Sequence, residues 1–292
     1  MRGAPADEDA TRGAHLTTIL RTTSWRVGVA GTALALGAVG AVVGAGSGAG
    51  PAVAAFFGGA AVGLLLVLGI AFAVADGRAA SDFWAGLATA TGLQVSDRDD
   101  LPELTPLLAA GDRRNVDRWL EGTLDGHPVG LGHYTYEERH RDSKGNTSWT
   151  RYPHTVCLVD LEQDGAPSWI SGVYLLRKGS FMGMVGGESR GRLPWRVDRK
   201  KLESAEFDDR FKLFVQDGVD EVRLRELFSP SFLVELIDHP QPIGFELHAG
   251  ALLVNVDDYR RDAAGLTDVL EATRAIARRI ADEIAEHRAT SG

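Results

Sequence analysis

No charged side chain and no histidine stands between Arg26 and Asp76. About 20 apolar residues carry a helix across a bilayer core. The uncharged stretch therefore predicts two spans, 27–45 and 51–75. The Gly- and Pro-containing turn over 44–51 joins them, since Gly permits positive φ and Pro ends helices. The second span carries the large apolar residues, among them Phe56, Phe57, Leu64, Leu65, Leu66 and Phe72. The first is mostly Gly, Ala and Val and inserts as half of a hairpin. Small residues near Ala52-Val-Ala54 look like a signal-peptide cleavage site, but a second span follows and would still anchor the chain. Neither span holds an ionisable group of the kind that transporters use.

Cysteine is almost missing. Cys157 stands alone, so an intramolecular disulfide is excluded and a reducing compartment fits. A basic excess is missing too: 31 Lys and Arg face 40 Asp and Glu, for a net charge of −9. Arg2, Arg12, Arg21 and Arg26 balance Asp7, Glu8, Asp9 and Asp76, so the whole deficit falls in 77–292. That argues against nucleic acid as a general partner. The phosphate-binding Gly-x-x-x-x-Gly-Lys-Ser/Thr loop is absent. His133, His140, His154 and Cys157 make no paired zinc spacing, and satisfied strand histidines with an inert buried thiol are expected. The neighbours Asp208-Asp209 and Asp257-Asp258 point to opposite faces of a strand and share no proton site. No catalytic residue, cofactor or metal ligand is assigned, and an enzyme is not expected.

What is present divides the chain into a disordered tail (1–24), a transmembrane hairpin (25–78), a helical juxtamembrane connector (79–121) and a soluble α+β domain (122–292). Gly40, Gly44 and Gly48 repeat at four-residue spacing, as do Gly59 and Gly63. Such spacing lets helix backbones approach, within the hairpin or between copies of the chain. Arginines flank the N-terminal side of the spans and Arg78 follows them, which puts both termini on the cytoplasmic side.

Helical spacing of Phe83, Trp84, Leu87 and Ala88 continues the second span, Trp84 fitting either a headgroup anchor or a packed core. Residues 104–110 and 114–120 read as short helical or turn pieces. From Gly122 the pattern turns to strands: 129–137, a polar tip at 141–148, a return over 149–161 and a third strand over 169–176, a three-stranded antiparallel meander. Arg190, Arg192, Arg196, Arg199, Lys200 and Lys201 form a basic run that fits anionic lipid headgroups. Residues 207–215 read as a strand. Residues 219–238 read as helix restarted at Ser229-Pro230, 243–256 as a hairpin, and 264–287 as a long amphipathic helix.

Tyr134-Thr-Tyr136, Phe207-Asp-Asp-Arg-Phe-Lys-Leu213, Phe228-Ser-Pro230 through Leu236, and the hairpin from Phe245 to Val254 carry a resemblance. The chain resembles a bacterial, actinobacterial-type family of membrane proteins with two N-terminal spans and a cytoplasmic domain of unknown function. The resemblance implies the same plan here, in a bacterial inner membrane, and assigns no catalytic residue. The order of elements is also reminiscent of pleckstrin-homology-like barrels, an analogy of fold alone. The expected function is a membrane-anchored binding or scaffold module. The alternative is an accessory subunit of a membrane transport or envelope complex, meeting its protein partner or a second copy through the hairpin; an enzyme acting at the membrane surface is the least expected of the three.

Overall fold

The computed structural model describes residue 7 and residues 23–47, 49–161, 171–179 and 197–291. The chain divides into two compact units, Met1–Leu87 and Ala88–Gly292.

In the first unit, helix α1 (Thr23–Gly44) is followed by a 3-10 turn (Ala45–Ser47) and helix α2 (Ala49–Thr91). The two helices touch backbone to backbone. A Cβ at Gly40 would lie 2.2 Å from the Ala55 carbonyl oxygen, and one at Gly59 would lie 2.3 Å from that of Leu36. The Phe56 ring covers Gly37. Outward-facing side chains include Leu34, Val42, Val43, Phe57, Leu65 and Ile70, each more than half exposed. Among the described residues no helix is long and apolar enough to cross a membrane. Side chains at 67–69, 71, 72, 74 and 75 of α2 lie outside the described set. Trp84 is 2% exposed, the packed alternative of the two expected for it, and meets Phe83 edge to face.

The second unit is α+β. Its strands are β1 (Gln94–Ser96), β2 (Arg113–Leu124), β3 (His127–Arg141), β4 (Thr147–Asp160), β5 (Val173–Arg177), β6 (Val197–Lys200), β7 (Phe211–Gln216), β8 (Gly244–His248) and β9 (Ala251–Asp257). All pair antiparallel in one sheet ordered β1-β2-β3-β4-β9-β8-β5-β7-β6. Helices α3 (Ala205–Arg210), α4 (Glu221–Leu227), α5 (Pro230–Asp238) and α6 (Ala263–Ser291) complete it.

Strand register sorts the side chains onto two faces. Cys157 sits on the face that α6 covers, beside Thr273 of that helix. The helix buries Leu266, Val269, Leu270, Ile276, Ile280 and Ile284 along one stripe. Further along, Phe228 stacks on Phe245 of β8 at 6.1 Å. The opposite face carries Tyr134, Tyr136, Val156, Tyr174 and Leu253. It is covered by residues 97–112, a strap whose Leu101, Leu107, Leu108 and Ala110 join one apolar cluster with those residues. Both faces are therefore dry, which is why residues 129–136 are buried without alternation.

Three expectations are corrected. Residues 114–120 belong to strand β2 rather than to helical pieces. A bulge between Val116 and Arg118 adds one residue, so Val116, Trp119 and Leu120 fall at a spacing that imitates a helix. Residues 207–210 are the end of helix α3, started by the Ser204 side chain accepting from the Phe207 N–H, and only 211–216 are strand. The three-stranded meander is not formed: β4 pairs with β9, while β5 pairs with β7 and β8. A strand takes the neighbour and register that put its apolar set on the buried face, and here those neighbours are distant in sequence.

Candidate functional site

Glycine in a strand marks a close approach, and β3 has two. A Cβ at Gly130 would stand 2.2 Å from Cζ2 of Trp119, and one at Gly132 would stand 2.0 Å from the Arg118 carbonyl oxygen. The Trp119 indole therefore lies flat on β3, 3% exposed. Its Nε1–H donates to Glu121 Oε1 at 3.1 Å, and Arg98 Nε donates to the same oxygen at 2.6 Å. Side chain, glycine pair and ion pair together fix the ring.

The fixed indole forms one wall of a cleft of about 370 Å³. Leu101, Pro102 and Leu104 of the strap line it too, together with Gly130 and Leu158 of the sheet. Arg98, Glu121 and Asp160 stand at its margin. An apolar concavity with a few oriented polar groups is the usual form of a small-molecule site.

The strap is held from beneath. Glu246 on β8 is fully buried, and its Oε2 accepts the Leu107 N–H at 2.9 Å. The Thr105 hydroxyl lies near enough to favour the carboxylate slightly, yet outside hydrogen-bond geometry, and Oε1 has no partner among the described residues. Burial raises this carboxyl from 4.5 to about 7, against the pull of the Leu107 N–H. Tyr134 Oη donates to the Leu108 carbonyl at 3.0 Å, with that of Leu107 at 3.3 Å. Burial pushes its phenol up. Tyr174 is raised by burial and then by Glu246, and its Oη lies 2.8 Å from His248 Nδ1.

A second polar network joins the loop after β9 to β2–β4. The Tyr259 hydroxyl bonds Asp117 and Thr135, while Arg151 reaches Asp117 at 3.0 Å and the same hydroxyl at 3.2 Å. His133 stacks on Tyr259 at 4.1 Å and its Nε2 meets the Arg260 carbonyl at 2.8 Å. Burial lowers His133 to about 4, the Arg260 carbonyl opposing the shift. Each named group has a partner, so this network is a clasp.

The expected site residues are scattered. Gly40 and Gly59 lie at the α1–α2 contact; Gly63 is buried, Gly44 ends α1, and Gly48 lies outside the described residues. Arg190, Arg192 and Arg196 also lie outside them. Arg199 and Lys200 are on β6, Lys200 bound to Glu221 at 2.6 Å, and Lys201 borders a separate groove. His133 and His154 occupy opposite sheet faces, and no group of described residues is able to hold a metal ion. His154 departs from the expected satisfied histidine: it is 2% exposed and neither ring nitrogen has a hydrogen bond, Asp257 Oδ1 lying 3.5 Å from Nδ1. Cys157 is fully buried, its thiol pushed up to about 12. Residues 187–191 read Gly-Glu-Ser-Arg-Gly, the letters of a nucleophile elbow. They too lie outside the described residues, and that chemistry needs a strand-turn-helix context.

Sequence reasoning missed Glu246, the Trp119 platform and the strap. Two signals were there to read. Gly130-x-Gly132 inside a strand pattern announces a ring or backbone lying close. Asp125-Gly126, with φ of 52° and 94°, is a two-residue hairpin turn and requires a strand before it.

Comparison with protein-family models, with curated proteins and with solved structures finds no match for this chain. The family resemblance stated above rests on the sequence motifs alone.

Proposed function

We propose that the chain is a membrane-anchored binding module, held by residues 27–75 and taking its ligand in the cleft beneath the strap. The cleft carries this reading. It combines an apolar wall, a rigid indole and three margin charges in about 370 Å³, the proportions of a site for a small amphipathic molecule. The anchor is supported by the sequence without ionisable groups between Arg26 and Asp76 and by the outward apolar residues of α1 and α2. The arginine flanks support cytoplasmic termini, and the family resemblance supports a bacterial inner membrane. The pleckstrin-homology-like analogy is one of element order alone: among the described residues β1 and β6 end the strand order without pairing to each other.

The test uses the full chain extracted in mild detergent. Native mass spectrometry of the wild type is expected to report a bound small molecule, lost in Leu158→Trp, which puts a larger side chain into the cleft lining. A wild type that flies at its bare mass overturns the ligand assignment. Wild-type chain released from membranes by alkaline carbonate overturns the anchor.

A second reading, an accessory subunit, is favoured by another groove of about 520 Å³. Phe228, Leu233, Val234 and Ile237 line it, and Val234 is 56% exposed. A protein that co-purifies in fixed proportion and is lost in Val234→Asp supports that reading over the first.

A further inference from the structure

The β3–β4 hairpin runs further than the sheet requires. Pairing with β2 ends at Arg113 opposite Glu137, and pairing of β4 with β9 begins only at Thr155. The pairs Arg139–Trp149, His140–Ser148 and Arg141–Thr147 therefore stand beyond both neighbouring strands. Residues 139–150 are all exposed, whereas 129–136 of the same hairpin are buried.

This projection carries a basic excess outward: Arg113, Arg139, Arg141 and Lys144 against the exposed carboxylates of Asp112, whose Oδ2 accepts the Arg139 N–H at 2.8 Å, and Asp142. Asp142 folds its carboxylate into the turn, accepting from the Lys144 N–H at 2.9 Å, the Asn146 N–H at 2.8 Å and Asn146 Nδ2 at 2.9 Å. These bonds, those from Asn146 first, hold its pKa below the ordinary range. Glu138 is 8% exposed and so adds little to the surface. The exposed cations of the tip are Arg139, Arg141 and Lys144, with Arg113 lying 3.9 Å over the ring of Trp149, and they outnumber Asp112 and Asp142. Trp149 is 37% exposed, among the few large apolar side chains of the second unit left open to solvent.

We propose that the tip of the β3–β4 hairpin is a contact site for anionic bilayer lipid, Trp149 entering the headgroup layer while Arg113, Arg139, Arg141 and Lys144 meet phosphate. The argument is complementarity. An indole with a polar edge and an apolar body suits the interface, and each cation near an anionic leaflet adds to binding. Nucleic acid fits less well, because it calls for a broad basic footprint, and this tip is a small basic point on a chain of net charge −9. The site differs from the basic run around Lys200, whose ammonium is already paired with Glu221. The proposal rests on the membrane-anchored reading for its location at the bilayer.

The experiment uses the full chain carrying Thr147→Cys labelled with a fluorophore; Cys157 is fully buried and stays unlabelled. The protein is placed in nanodiscs of phosphatidylcholine alone or with phosphatidylglycerol, each containing a headgroup-quencher lipid. Quenching is expected only with the anionic lipid. Replacing Arg139, Arg141 and Lys144 together by Gln is expected to weaken the contact about a hundredfold, and Trp149→Ala to reduce quenching while leaving incorporation unchanged. Absent quenching in anionic discs, or quenching indifferent to the triple change, overturns the proposal. Flotation with plain phosphatidylcholine vesicles reads the anchor separately. Should the chain not float there, the anchor fails, and the tip is read from flotation with anionic vesicles: loss in the triple variant supports it, and no flotation of the wild type overturns it. A tip that binds an RNA oligonucleotide and not vesicles overturns it as well.

Discussion

The Leu107 N–H donates to Glu246 Oε2 at 2.9 Å across the sheet face that the strap covers, a carboxyl fully out of solvent fastening a loop 139 residues earlier in the chain. The same loop supplies Leu101 and Leu104 to the cleft. The protonation of one buried group thus bears on the wall of the candidate site.

A stability profile follows from that carboxyl. Folded, it keeps its proton to about 7; unfolded, it loses it near 4.5. Below 4.5 both states are protonated and no stability is lost. As pH climbs from 4.5 to about 7, the unfolded chain ionises first and stability falls, by on the order of 3 kcal/mol in full. Glu246→Gln keeps the shape and removes the proton. Its melting temperature is expected to exceed the wild type at pH well above this window and to approach it in acid. Equal slopes for the two proteins in thermal melts against pH would refute the assignment.

His154 works in the other direction. Burial lowers it from 6.5 to about 4, so the stability it allows is complete above 6.5 and lost as pH falls through this window. Its ring lies nearly parallel to Tyr136, 5.6 Å away. His154→Phe keeps the stack and cannot take a proton. Chemical denaturation of this variant at acid pH is expected to show a shallower loss than the wild type. An unchanged acid limb means that another group sets it.

The indole platform needs glycine beneath it. Gly130→Val drives a side chain into Trp119 and is expected to cost about 1–3 kcal/mol, the usual range for overpacking. In a Trp119→Ala background the same change costs less, because the clash partner has gone. A double-mutant cycle by urea unfolding measures the coupling. Additive losses would place the ring elsewhere.

Adjacent glycines in α2 differ in what surrounds them. Gly59 has the Leu36 carbonyl against it, and Gly58 has nothing within 4 Å. Gly59→Val is expected to separate the hairpin helices and lower the melting point of the detergent-solubilised chain, while Gly58→Val leaves it near the wild type. Helix propensity changes alike in both, so the difference isolates packing. Identical melting points would remove the close contact.

Much of this architecture is readable along the chain. Residues 27–75 lack charge, Gly40 and Gly59 each belong to a four-residue glycine repeat, and Leu266, Val269, Ile276, Ile280 and Ile284 trace the stripe of α6. Period and composition are local properties, and each of these elements is specified by its own residues. The hairpin tip at 141–148 is likewise marked by a polar run between two strand patterns.

Pairing across distance is decided elsewhere. Nothing near Leu107 names Glu246 as its acceptor, and nothing in β4 names β9 as its neighbour. The bulge at Asp117 disguised β2 because one inserted residue shifts alternation toward helical spacing. The strap looks like a linker, with its charges and Pro102, until the sheet beneath it is dry enough to bury Leu101, Leu107 and Leu108. Local sequence chose the elements of this protein. Their assembly chose which carboxyl lost its water and which indole became a wall, because burial and proximity are properties of the packed chain and of no single segment.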